Sequence, residues 1–190
     1  MSKLTRRELI LEAASEVFLT TGFEKSTVQE IADKAGVGKG TIYEYFSSKE
    51  ALFVEMVQSY VSCLFDEMVT SLEQAGTIEE LIDAHIKISL HHIEQHSDRV
   101  RILFNDLAQV STDVHEWFAE KQLQLINRVT ALIEQWIEEG ELRDVNPEVV
   151  AWSIAEIIRL GFIYRFMYKK QDIEPILRAQ KDLLLHGVRR

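Results

Sequence analysis

Apolar residues recur at helical spacing along the whole chain, and polar residues of cap-forming type stand at the ends of the runs. Thr5 and Glu8 have capping-box spacing and predict a first helix to about Thr20, with Ile10, Ala14, Val17 and Phe18 on its buried stripe and Gly22 at its end. Thr27 with Glu30 opens a second, whose apolar face of Val28, Ile31, Ala32 and Ala35 stops at Gly36. Glycine suits that stop because it tolerates the left-handed conformation a helix C-terminus often needs. A third helix, Lys39 to Phe46, turns Ile42 and Phe46 inward and Thr41, Glu44 and Tyr45 outward, with Tyr43 at the margin. Phe23 is expected to fold back into the core that these three short helices share. The second and third form a helix-turn-helix, a motif whose second helix enters the DNA major groove and whose N-terminal residues meet base edges.

Ser47 and Glu50 then predict a capping box for a long helix to about Gln74. Its apolar residues come in pairs, from Leu52–Phe53 and Met56–Val57 through Tyr60–Val61 to Leu64–Phe65 and Met68–Val69. Four residues turn a helix by about 400°, so each pair is rotated by roughly 40° from the last and the two ends bury different faces. The expectation is that the first turns pack on the head and the last turns on a second domain. Gly76 and Thr77 separate it from a helix carrying Ile78, Leu81, Ile82, Ile86 and Ile93. A shorter one follows around Val100, Leu103, Phe104 and Leu107, and Asp113 with Glu116 opens another through Trp117, Leu125 and Trp136 to Gly140. Asn146–Pro147 starts a helix to about Tyr168, and a last one runs from Asp172 to His186. No strand pattern, internal repeat or low-complexity tract interrupts the series. The predicted fold is all-α, with a helix-turn-helix head over residues 1–48 and a second helical domain over 49–190.

The segment from Val149 to Tyr168 is apolar on most faces and about long enough to span a bilayer, but Glu156, Arg159 and Arg165 make insertion expensive. A subunit interface explains it better. Ile154, Ile158, Gly161, Phe162 and Phe166 are expected to meet Ile176, Leu177, Leu183 and Leu184 of the last helix in a four-helix packing between two copies. A twofold dimer would set two recognition helices roughly 34 to 36 Å apart or more and call for a near-palindromic operator.

Composition narrows the function classes. An apolar fraction of 46% over 190 residues is ample for a packed core, and one cysteine, Cys63, leaves no disulfide framework and fits a reducing cytoplasm. No cleavable apolar leader is visible at the start, so a cytoplasmic location is expected. The net charge of −10 argues against nucleic-acid binding only until it is divided. Residues 1–50 carry seven basic and eight acidic side chains, a net of −1, which leaves −9 for the rest. Lys39, Lys49, Arg6 and Arg7 can therefore share one side of the head, though modest nonspecific affinity is expected.

Residues 5 to 55, above all TVQEIADKAGVGKGTIYEYFSSKEALF, resemble the DNA-binding signature of the TetR family of bacterial transcriptional repressors. Beyond Val57 the likeness is one of helix number and length. The resemblance implies about nine helices, a homodimer built from the last two, double-stranded operator DNA as partner, and a C-terminal pocket whose small-molecule effector releases the DNA. Carried over by position, it implies base contacts near Lys39, Gly40, Thr41 and Glu44 within a turn and recognition helix from Val37 and Gly38 to Tyr45. Phosphate contacts fall near Thr27, Tyr43, Tyr45 and Lys49. Glu44 departs from what a phosphate would accept and either receives a bond from cytosine N4 or faces solvent. Tyr43 and Tyr45 are alternatively core residues with wet hydroxyls.

Under the same resemblance, Tyr60, Met68, Phe104, Trp117 and Phe118 are candidate walls for an apolar or amphipathic effector, with Cys63, His92 or Arg101 as polar anchors. The alternative for each is ordinary core. His85, His92 and His96 lie at spacings that put them near one helical face, but no cysteine or acidic cluster accompanies them, so no metal is assigned and no cofactor is expected. No nucleophile–base pair appears, and Gly36, Gly38 and Gly40 lack the preceding strand of a dinucleotide site, so an enzyme is not expected. The reading is a DNA-binding regulator, a repressor released by an effector. The alternative is a DNA-tethered adaptor whose acidic body recruits a protein partner.

Overall fold

The computed structural model describes residues 5–95 and 112–188, and among them stand eight α-helices. They are α1 (Arg6–Thr21), α2 (Val28–Ala35), α3 (Lys39–Tyr45), α4 (Lys49–Gln74), α5 (Ile78–Gln95), α6 (Thr112–Glu138), α7 (Pro147–Phe162) and α8 (Glu174–Val188). A π-helical turn, Ile163–Met167, continues α7. The all-α fold predicted from the apolar spacing is the one found. The short helix expected around Val100 to Leu107 lies outside the described residues.

The chain forms two compact units, and the division falls inside α4, between Ser62 and Cys63. The first unit takes the described residues up to Ser62 together with 112–115; the second takes 63–95 and 116–188.

In the first unit the predicted caps act as caps. Thr5 accepts from the Glu8 N–H while the Glu8 carboxylate receives the Thr5 N–H at 2.7 Å, and these bonds hold the Glu8 carboxyl below its ordinary range. Thr27 and Glu30 repeat the arrangement, and Gly36 closes α2 in the left-handed conformation at φ 66°. The long helix departs by one residue. Ser48, not Ser47, caps it, its hydroxyl receiving the Ala51 N–H at 3.1 Å. Ile10, Ala14, Phe18, Ile31, Ile42, Phe46, Leu52 and Phe53 form the buried centre. Phe18, Phe23 and Phe53 pack ring on ring, with centroids 4.8 to 5.7 Å apart.

The second unit is built on α7. Helices α5 and α8 pack against it, and Val150, Ala151, Ile154, Ile157, Gly161 and Phe162 are the side it buries. Asn146 receives the Val149 N–H at 3.1 Å and caps α7 as the Asn–Pro pair predicts. Lys181 of α8 donates to Asp83 and Glu79 of α5 at 2.6 and 3.0 Å, tying these two helices together. No described helix is long and apolar enough to cross a membrane.

The α4 pairs resolve as the rotation requires. Both members of Leu52–Phe53 and Met56–Val57 are buried, whereas at Leu64–Phe65 and Met68–Val69 only the first member is. Phe65 and Val69 sit half-buried beside the small cluster of Leu64, Met68 and Leu125.

Candidate nucleic-acid interface and internal cavity

Helix α3 is anchored by one fully buried side chain, Ile42, and Phe46 closes it from below. Because the helix is seven residues long, the remaining positions are left outside. Lys39, Gly40, Tyr43, Glu44 and Tyr45 are exposed, Thr41 and Val37 are half-buried, and Gly38 precedes the helix in extended backbone. Tyr43 and Tyr45 are 48% and 42% exposed, which excludes them from the core and leaves two amphipathic rings on the surface. Glu44 faces solvent in the same row.

Two of the residues assigned to phosphates have other work within the head. The Lys49 ammonium donates to the Phe23 and Ser26 carbonyls at 2.8 and 3.1 Å and lies 4.3 Å from the Phe23 ring centre. It clips the α1–α2 connection to the start of α4. The Thr27 hydroxyl and N–H both bond Glu30, at 2.9 and 2.8 Å, so a phosphate there would compete with the capping carboxylate. Arg7, expected beside Lys39 on a basic side, pairs with Glu55 and stacks on Phe46 at 5.3 Å. The head's outward cationic surface is therefore smaller than the sequence count suggests. Spacing shows where a lysine falls on a helix, but not which carbonyls a loop will bring to it.

The described candidates for the effector site are spread over several surroundings. Among the described candidates, Met68 is the one that lines a small internal cavity of the second unit, which it shares with Leu72, Leu81, His85, Leu125, Ile126, Val129, Ala151, Ile154 and Ala155. Cys63 is exposed, with its sulfur 3.7 Å from the Glu67 carboxylate. His92 is buried and its Nε2 lies 3.1 Å from the other Glu67 oxygen. Phe118 packs edge-on against Phe65, Trp117 is half-buried, and Tyr60 is a half-buried residue of the first unit. Arg101 and Phe104 lie outside the described residues, as does His96. No group of three potential metal ligands occurs among the described residues.

His85 is the cavity residue that the sequence reading placed elsewhere. It lies on the same face of α5 as Leu81, Ile82 and Ser89, all buried, and that periodicity marks it as an inward side chain. Grouping it with His92 and His96 as a metal question hid this. Its Nε2 has no hydrogen-bond partner among the described residues, and burial pushes its imidazole down to about 4.

Of the residues expected at a dimer interface, Leu183 and Leu184 line an exposed groove, whereas others are covered within the chain. Ile154, Gly161, Phe162 and Leu177 are buried within their own unit, and Ile158 packs on the Leu64–Met68–Leu125 cluster. A Cβ on Gly161 would stand 2.8 Å from Ile93 Cδ1, so α5 already occupies that face. A groove of about 610 Å³ lies one step round α7, where Val149, Trp152, Leu160 and Ile163 of the following π turn join Leu183 and Leu184 of α8, with Ser153, Glu156, Arg159 and Gln180 also lining it. Val149 and Leu183 are 61% and 77% exposed, whereas Phe166 and Ile176 are half-buried outside this groove.

These features agree with what the chain is similar to. Residues 10–56 match the model of bacterial regulatory proteins of the tetR family, and residues 75–159 match a tetracyclin repressor-like C-terminal domain. The uncharacterised HTH-type transcriptional regulator YhgD of Bacillus subtilis is 27% identical over 187 residues, 97% of each chain. The HTH-type transcriptional repressor KstR2 of Mycobacterium tuberculosis is 28% identical over 77% of this chain and 74% of its own. The fold is shared with the transcriptional regulator FadR of Bacillus subtilis in complex with stearoyl-CoA, at a TM-score of 0.79 and 21% identity over 95% of this chain and 98% of that one. With a helix-turn-helix head and a helical C-terminal domain each matching its own model, the chain belongs to the TetR family of transcriptional regulators.

Proposed function

We propose that the protein is a cytoplasmic repressor that binds a near-palindromic operator as a homodimer and is released by an apolar or amphipathic effector. The observation that carries the reading is α3, which turns Lys39, Tyr43, Glu44 and Tyr45 outward while Ile42 and Phe46 fix it to the head. The exposed, mainly apolar groove of α7 and α8 supports a second copy as its occupant. The cavity beside Met68 supports the effector, and the stearoyl-CoA complex of FadR makes acyl thioesters the first class to test. KstR2, named as a repressor, favours repression as the outcome.

The effector acts by preferring the protein that has left DNA. By linkage, a ligand bound about 100-fold more tightly to that state weakens operator affinity by the same factor, near 3 kcal/mol. Gel shifts on the DNA upstream of the protein's own gene test the reading. Tyr43→Ala and Lys39→Ala should each lower affinity by about tenfold, the equivalent of roughly 1.4 kcal/mol. Unchanged binding by both variants in folded form would remove the assignment of α3 as the DNA-reading element.

A further inference from the structure

The cavity in the second unit has one polar wall. Nine of its ten lining residues are apolar, and the tenth is His85, 5% exposed, with Nε2 unpartnered. As it stands the cavity offers about 10 Å³ to a water-sized group, room for about one water molecule, so a larger occupant must part the helices that line it. An imidazole nitrogen left without a partner in such surroundings costs free energy that a bound hydroxyl or carbonyl would recover.

Building on the reading of this cavity as the effector site, we propose that His85 is its polar anchor. Its Nε2 hydrogen-bonds the one neutral hydroxyl or carbonyl group of an otherwise apolar effector, and charged parts of that molecule remain outside. The chemistry of the walls selects this class. A pure hydrocarbon fills the space but leaves Nε2 orphaned. A carboxylate would enter without a cation to meet it, since neither lysine nor arginine lines the cavity. A neutral oxygen satisfies the ring without bringing a charge, and imidazole, which donates at one nitrogen and accepts at the other, suits either a carbonyl or a hydroxyl.

The test compares n-decane, 1-decanol and decanoate as ligands of the full-length protein at pH 7, with dissociation constants taken from the concentration dependence of the melting temperature. Decanol should bind about tenfold more tightly than decane, within the range expected for leaving a buried polar group unpaired, and decanoate should be the weakest. His85→Leu should abolish the preference for decanol over decane, and His85→Gln should retain part of it. Equal binding of decanol and decane by the wild-type protein, or tightest binding of decanoate, would overturn the anchor whether or not either variant folds. Ala155→Phe, which fills the cavity, locates the binding. If it weakens all three ligands while decanol and decane stay equal, the cavity reading stands and the anchor falls; if it weakens none, or the wild type binds none, both fall.

Discussion

Lys49 and His85 show how a residue's surroundings decide its role. The Lys49 ammonium bonds two carbonyls of the α1–α2 connection and lies over Phe23, so its charge serves the head's own structure. Lys49→Ala should destabilise the protein by about 2 kcal/mol in urea unfolding, the scale of hydrogen bonds to a charged group. A lost phosphate contact would also lower the salt slope of operator binding by about 1. The internal clip predicts an unchanged slope and partial rescue by Lys49→Arg; a slope reduced like that of Lys39→Ala would show Lys49 on the DNA. His85 gives a pH signature. Its folded value of about 4 lies below the ordinary 6.5, so the unfolded chain binds the extra proton between those values and stability falls with acid across that window. The loss approaches roughly 3 kcal/mol by pH 4. Urea unfolding of wild type and His85→Leu from pH 7.5 to 4.5 isolates the contribution, because carboxylate titration is common to both. Parallel curves would mean that His85 titrates normally in the folded protein.

At the scale of helices, what the sequence made legible is what local chemistry determines. Thr5, Thr27 and Asn146 cap the helices they precede, and Gly36 ends α2, because each feature involves groups only a few residues apart. The one-residue error at Ser47 and Ser48 belongs to a site where two adjacent serines offer the same hydroxyl, and only the backbone path selects between them. Which side of α7 is covered was not legible in the same way. Its apolar residues surround most of the helix, so periodicity does not separate the side facing α5 from the side left bare, and Ile154, expected at an interface, is buried within the single chain. Gly161 marks the difference, since its missing side chain is what lets Ile93 approach. Gly161→Leu should cost about 1 to 3 kcal/mol by overpacking. Gly161→Ala should be close to neutral, because roughly 1 kcal/mol of helix propensity offsets the displacement of the Ile93 methyl. Midpoints of urea unfolding for the pair check this, and a Leu variant as stable as wild type would show that α5 yields at that point.

For the molecule as a whole, affinity for DNA and association are one problem. The first 50 residues carry a net charge of −1, and Arg7 and Lys49 are engaged within the head, so one head has few cations to spend on phosphates. Two heads joined in the proposed dimer would overcome this, because binding of the first raises the effective concentration of the second by a factor that can reach about 10² to 10⁴ in overall avidity. On the proposed dimer, residues of the α7–α8 groove control operator binding without touching DNA. Leu183 provides the means to test it, being 77% exposed in the single chain, where Ile154 is not. Leu183→Glu should change the stability of an isolated protomer by no more than about 0.5 kcal/mol, yet it puts a carboxylate into the proposed contact between copies. Native mass spectrometry should then show the mass of one chain instead of two, and operator affinity should fall by about 100-fold or more while the far-ultraviolet circular dichroism is unchanged. A variant that remains dimeric and binds normally would place the interface elsewhere, and a monomer that binds the operator as tightly as wild type would mean that a single head supplies the affinity despite its charge.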